Sequence, residues 1–512
     1  MEALLESFLV PDSRERIARK VAVCRCLFGA LVAWRFAHVY GFSVVADDPM
    51  QVRWYAGVGA VLGAAICVGL LSQVCLCLLA LVFLVQAPFA STLGDQVALL
   101  TAYGLILAGS SEAWAVDRIV LPRCASPLSR KLLRLFALPF TPESFACLRV
   151  ALIALFWGIC FTAMSFHFLD ELWARSRVLH LLFTMPYMSS LYPWMSRAAE
   201  SAPVLYDFLC RTALWAQGAW ELFLLPLMFW RWGRLFAKWQ GLAFFLVSAV
   251  GINLDYLPFT ELVFWLLVFN YRVPRTVAAP RAPVPLLPKA LAWGGLGVAL
   301  SYALVIGGRN LSPAGSVRKT FDRLAHFRLY RALGQSPVDV FNREDMSMGR
   351  KHFVLVQTTE EGKPVRTVPL TDLSGGRLGY LRNSVLYFDH SLRWQRLPFE
   401  AVLSESGPSD YTLDLLGRYG RLDACLRRVT ETQHYTAVFF KTEIVEDRSF
   451  PSWAAPAPVG KLRFRISEAQ LGGLPGCRQS FRLPPGFYWE KRRLGETLDW
   501  ARVFLADGGG HS

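Results

Sequence analysis

Nine long apolar runs crowd the chain before residue 308, and none follows it. They fall at roughly 21–43, 53–71, 73–90, 97–110, 146–168, 208–230, 237–253, 257–271 and 290–307. A helix needs about 20 residues to cross a hydrocarbon core of about 30 Å, so most of these runs have the length of a membrane span. The fourth is short, and 53–90 is almost continuous, which leaves a broken or re-entrant arrangement open there and an error of one or two on the count. Soluble enzymes, disordered chains and collagen-like chains do not carry such runs. The expectation is a polytopic α-helical membrane protein with about nine transmembrane helices and a C-terminal mixed, β-rich extramembrane domain.

Charge tests the count. Lys and Arg exceed Asp and Glu by 54 to 39, a net +15. In a membrane protein the positive residues collect on cytosolic loops, so the basic balance does not call for a nucleic-acid partner. With the N-terminus in the cytosol, Arg14, Arg16, Arg19 and Lys20 lie inside, as do Arg118, Arg123, Arg130, Lys131 and Arg134. Arg231, Arg234 and Lys238 follow, then Arg272, Arg275, Arg281 and Lys289, while Asp47, Asp48, Asp95 and Asp255 fall on the opposite loops. Nine spans then leave the residues after about 308 on the non-cytosolic face. The charged, Pro-containing start lacks the pattern of a cleavable signal peptide, so the first span is expected to act as a retained insertion signal.

Three units follow: helical membrane domain 1–275, a Pro-rich connector with the last span at 276–308, and a β-rich domain at 309–512. Prolines in VAAPRAPVPLLPK argue against regular helix before the last span. The polar half opens on a helix near 318–333. Strands are expected in HFVLVQTTEEGKPVRTVPL about a turn at EEGK, and in RNSVLYFDHSLRWQRLPF, HYTAVFFKTEIVED and GKLRFRISEA, with 410–432 helical and WAAPAPVG breaking the last two strands. Asn310 heads an NLS sequon in form but lies too near the membrane to serve. Nine of eleven cysteines fall at or before Cys210, mostly in apolar runs, where a thiol acts as a small hydrophobe. Cys425 and Cys477 alone are left to form a disulfide in the polar half.

Ionisable groups inside a span cost at least about 2.5 kcal/mol at its centre, which makes them candidates for function. Arg25 and Arg35 lie about 15 Å apart along one helix and can snorkel to opposite headgroup layers. Glu221 sits mid-helix, as an interhelical partner for an arginine or as a proton-handling group. His167 is the most versatile group, able to act as base, acid or ligand near neutral pH. Asp170 and Glu171 follow within a turn, at the spacing that shares a helix face. Glu112, Asp117, Asn253, Asp255 and Glu261 flank other spans. The eight histidines are scattered and no HExxH is present, so no metal site is expected. Phosphate-binding, Rossmann, kinase and G-x-S-x-G patterns are also missing.

Three short segments carry a resemblance over roughly residues 14–275. Trp114-Ala-Val-Asp117 is similar to a Trp-Ser-Val-Asp turn; Met164-Ser-Phe-His-Phe-Leu-Asp-Glu-Leu-Trp173 is similar to a segment ending Lys-Leu-Asp-x-x-Trp, matching at Leu169, Asp170 and Trp173; FFLVSAVGIN, ending at Asn253, is similar to a Phe-Phe-Val-Ser run ending in Asn. Together they resemble the vitamin K-dependent gamma-carboxylase-like membrane family, the HTTM domain group. The resemblance implies a helical bundle with a non-cytosolic β-rich domain and a lipophilic quinone-like cofactor. Three departures weigh against carboxylation. The family's lysine base corresponds to Phe168, which takes no proton, and two family histidines correspond to Glu112 and Val250. Two functional classes remain. One is a membrane protein that supports modification, folding or export of a secreted polypeptide, with a cavity lined by Glu112, His167, Asp170 and Glu221. The other is a non-catalytic scaffold or immunity-type protein whose polar residues tie the bundle together.

Overall fold

The computed structural model describes residues 14–42, 49–86, 93–110, 113–119, 141–184, 191–252, 254, 256–269, 286–312, 315–335, 351–368, 433–441, 444–446, 451–453, 457–467 and 488–491, with Ser189 and scattered positions of 416–431. These residues are mostly helical, with a small antiparallel sheet. In chain order the helices are α1 (Arg14–Phe42), α2 (Pro49–Val68), α3 (Ser72–Gln86), α4 (Leu93–Leu107), α5 (Pro142–His167), α6 (Glu171–Ala174) and α7 (Val178–Phe183). After them come α8 (Tyr192–Ser201), α9 (Pro203–Leu227), α10 (Arg231–Gly251), α11 (Leu257–Val268), α12 (Leu286–Leu311), α13 (Ser316–Ala325) and α14 (Arg328–Ala332).

Each of the nine apolar runs is a helix, with bounds shifted by a few residues. The near-continuous stretch 53–90 is two helices, parted by Gly69 and Leu71, both at positive φ. Among the described residues, α5 and α12 are long and apolar enough to cross a membrane. At 12–15 residues, α3, α4 and α11 reach only about 18–22 Å. The expected connector is shorter than its prolines suggested: α12 begins at Leu286 and carries Pro288 in its first turn, where a missing amide costs nothing.

Five described pairs fix relative helix directions. A Cβ on Gly63 would lie 2.9 Å from the Gly29 carbonyl oxygen, and Gly59 faces Phe36, so α1 and α2 pack antiparallel at close range. Trp157 donates to the Leu222 carbonyl while Met164 meets Gly218, which sets α5 against an antiparallel α9. Trp220 donates to the Ala237 carbonyl, and Gly233 faces Leu227 across the α9–α10 turn. Two pairs are parallel. Asp95 and Gly104 of α4 meet Tyr256 and Leu267 in that order along α11. Ala151 and Ser165 of α5 meet Gly295 and Asn310 in that order along α12. In every one of these pairs, helices of odd rank among the nine run one way and those of even rank the other.

Apolar side chains cover both faces of the bundle. In α3, Leu76, Leu79 and Phe83 are buried, yet Val74, Leu78, Leu81 and Val85 stand outward and exposed. On α12, Leu304 is 75% exposed, and on α9 Val204 is 77% exposed. A helix apolar all round belongs in a large core or in lipid, and these outer stripes are exposed.

Beyond α12, α13 and α14 turn back along the bundle. Tyr330 packs its ring at a tilt against Tyr302 and bonds Ser301, Tyr103 donates to the Ala332 carbonyl, and the fully buried Gln335 donates to the Leu155 carbonyl in the middle of α5. The polar half therefore begins as a finger wedged between α4, α5 and α12. Asn310 bonds Ser165 from within α12, so the sequon is helical and its amide is in use.

The strands are β1 (Lys351–Thr358), β2 (Pro364–Thr367), β3 (Gln433–Lys441), β4 (Ile444–Glu446), β5 (Pro451–Trp453), β6 (Ala457–Ile466) and β7 (Tyr488–Lys491). The main sheet has the order β2-β1-β3-β6-β7, antiparallel throughout, and β4–β5 is a separate hairpin. Leu355, Tyr435, Ala437, Leu462 and Phe464 fill its buried face. Of the breaker expected at WAAPAPVG, Trp453 ends β5 and 457–460 belong to β6, where Ala457 and Pro458 pair with Lys441 and Phe440 across a bulge and the proline does not interrupt the ladder. Segments 382–399 and most of 410–432, with Cys425 and Cys477, lie outside the described residues.

Candidate functional site

The site grows from the end of α5. Helix α5 begins on the Thr141 cap and ends at His167 because the chain turns at Phe168–Leu169. Asp170 then accepts from the amides of Leu172 and Trp173 and starts α6. That cap aims the Trp173 ring flat onto the His167 imidazole, with centroids 3.6 Å apart and planes 6° from parallel. The expectation that Asp170 would share a helix face with His167 fails because the helix stops between them. Asp170 acts on the histidine through Trp173 instead.

Across from His167 stands α9. His167 Nδ1 is 3.9 Å from Glu221 Oε2, and Gln217 Nε2 donates to Glu221 Oε1 at 2.7 Å. Gln217 and Glu221 are four apart on one helix, a spacing that lets such side chains meet. No arginine reaches Glu221 among its described contacts, so the arginine pairing is not made. All three groups line one cavity of about 480 Å³, which also takes in Ser248 of α10 and Glu261 of α11. Glu221, Gln217, Glu261 and His167 are each buried.

The walls are otherwise apolar and aromatic, led by Phe156, Trp220, Phe244 and Phe245. Trp220, Phe245, Trp265 and Phe156 form an edge-to-face cluster beneath the cavity. Between α9 and α10 the lining includes Leu209 and Val247, which are also 55% and 50% exposed. The cavity thus reaches the outer apolar surface sideways, through the gap between these helices. Over its upper side lies α7, which contributes Val178 and Leu182 to the lining. The β4–β5 hairpin rests on α7, so the sheet domain meets the bundle at the cavity's rim.

Helix α7 is held from behind. His180 Nε2 lies 2.9 Å from Asp207 Oδ1, and Arg211 donates to the same oxygen at 2.9 Å. Burial holds the imidazole below its ordinary range, outweighing the pull of Asp207. Reading along the chain did not single out this cluster, because His180 and Asp207 are 27 positions apart and neither lies in a run.

The remaining candidates are spent on the scaffold. Arg25 is fully buried and donates to the carbonyls of Ser110 and Trp114 at 3.1 and 2.5 Å. Trp114 is at positive φ with its ring exposed. Asp117 accepts from the amides of Leu71 and Ser72 at 2.5 and 2.9 Å, capping α3 from a distant loop. Arg35 is also buried, its guanidinium 4.8 Å from the centre of the Tyr256 ring, and Tyr256 donates to Asp95. The two arginines do sit at opposite ends of the bundle, but inside it and not snorkelling to headgroups. Leu169 is exposed. Glu112, Asn253 and Asp255 lie outside the described residues. No group of three metal-ligating side chains occurs among the described residues.

Compared with known proteins, the chain matches no family model, no curated protein and no solved structure.

Proposed function

We propose that this chain is a nine-span membrane protein with a cytosolic N-terminus and a non-cytosolic sheet domain. Its cavity at His167, Gln217 and Glu221 serves the modification, folding or export of a secreted polypeptide. Convergence carries the site: side chains from α5 and α9, 54 positions apart, meet in one cavity beside the place where the sheet domain touches the bundle. The membrane placement draws support from the outward apolar stripes, from the relative directions of the described helix pairs and from the side of the charged loops. A histidine beside a carboxylate, walled from water, is suited to taking and returning a proton. Opening sideways between α9 and α10 suits a ligand that arrives from lipid; a quinone-like cofactor follows only from the HTTM resemblance.

In cells carrying the protein, the masses of exported polypeptides are to be compared with those from cells lacking it and from cells carrying His167→Ala. A client whose mass changes only with the intact protein supports modification. Identical masses in all three would remove modification, and co-purification of a client would then support folding or export.

The scaffold alternative has its own support. Arg25, Asp117 and Asp170 all hold backbone groups, which is what polar residues do when they tie helices together. It predicts that His167→Ala leaves every client's yield and mass unchanged.

A further inference from the structure

The charged groups lining the cavity have one sign. Glu221 and Glu261 both face it, His167 adds an imidazole, and no Lys or Arg lines it among the described residues. Arg35 sits on the Tyr256 ring at the cavity's edge. Glu221 Oε2, Gln217 Oε1 and Ser248 Oγ are buried with no hydrogen-bond partner, three acceptors directed at one space. Buried acceptors left unmet are costly, and a carboxylate withdrawn from water is costly unless a positive group comes with it. Trp173, Trp220 and Phe244 stand in its walls; aromatic faces attract cations and the rings pack apolar bodies.

We propose that the cavity binds a lipophilic amine: an apolar or aromatic body lodged between α9 and α10, its ammonium donating to Glu221, Gln217 and Glu261. A volume of about 480 Å³ suits a drug-sized molecule. An ammonium has three donors and no acceptor, which matches a site rich in acceptors. An anionic head would meet two carboxylates and no cation. This inference rests on the cavity being a ligand site, as proposed above.

Full-length protein in nanodiscs is titrated calorimetrically with phenylbutylamine, phenylbutanol and phenylbutyrate, with empty nanodiscs as the baseline. The amine should bind about tenfold or more tightly than the alcohol, since a charge-assisted bond exceeds a neutral one by that order. The acid should bind weakest. Glu221→Gln and Glu261→Gln, nearly isosteric, should each cost the amine about tenfold and the alcohol distinctly less. If the alcohol or the acid binds as well as the amine, the amine assignment falls while the cavity stands. If none of the three binds above the baseline, both fall. The ranking by the unmodified protein decides the matter even if a variant fails to fold.

Discussion

Asp117 does its work at a distance of 45 positions. Its carboxylate takes the first free amides of α3, the groups that a helix start leaves unmet. Removing a cap of this kind costs about 1–2 kcal/mol, so Asp117→Ala should lower the melting temperature in detergent measurably. Asp117→Asn, which keeps one acceptor, should lose less. The same scale explains what could be read from sequence. The polarity of Arg25, His167 and Glu221 within apolar runs, and of Asp117 beside one, marked them as costly and therefore occupied. Which of them would meet was hidden, since the partners are carbonyls of residues 110–114, an amide pair at 71–72 and a glutamate on another helix. Gln217 was overlooked, although its place four residues before Glu221 was the available clue.

His180 gives a pH dependence at this scale. Its folded value lies below the ordinary 6.5 because burial outweighs Asp207. The neutral ring is the one that the fold favours. Its contribution is complete above about pH 6.5 and is lost as pH falls through the lower folded value. The α7 amides should therefore exchange hydrogen faster as pH drops below that window, after correction for intrinsic rates. Unchanged protection down to about pH 5 would show that His180 does not hold α7.

Among elements, the α1–α2 pair depends on having no side chain at Gly63 and Gly29. A methyl at Gly63 meets the Ala33 backbone at 2.5 Å and the Gly29 carbonyl at 2.9 Å. Gly63→Ala should cost about 1–3 kcal/mol by overpacking. Gly57→Ala, whose nearest neighbour is a tyrosine ring at 3.9 Å, should be neutral or slightly stabilising. Comparing the two by thermal unfolding isolates close approach from helix propensity. Helix existence was plain in the sequence because each run is long and apolar. Helix ends were less so, because α1 starts in the charged stretch from Arg14 and α12 starts in the connector. The strand from 460 onward was legible, while its first residues, 457–459, were masked by Pro458.

For the whole molecule, the proposed nine-span arrangement sets a testable topology. Single cysteines in a cysteine-free background, placed at Arg231 and at Glu361, should label from opposite sides with an impermeant maleimide. Labelling of both from one side would mean that an odd number of the intervening helices does not cross. The two parallel pairs matter here because only odd-to-odd and even-to-even neighbours can be parallel in such a chain, and both pairs obey this.

The wedge that ends at Gln335 has a consequence in time. Ribosomal synthesis releases α4, α5 and α12 well before residues 328–335, so the seam they form around the Leu155 carbonyl stays open until the finger arrives. Gln335 fits over Gly158, where any larger residue would collide with it. The last step of bundle assembly is therefore made by the polar half, and the sheet domain is moored as it closes. A nascent chain stalled with α12 emerged but residues 328–335 still inside the ribosome should remain a client of the membrane chaperones, because a keystone still inside the ribosome cannot lock the arch.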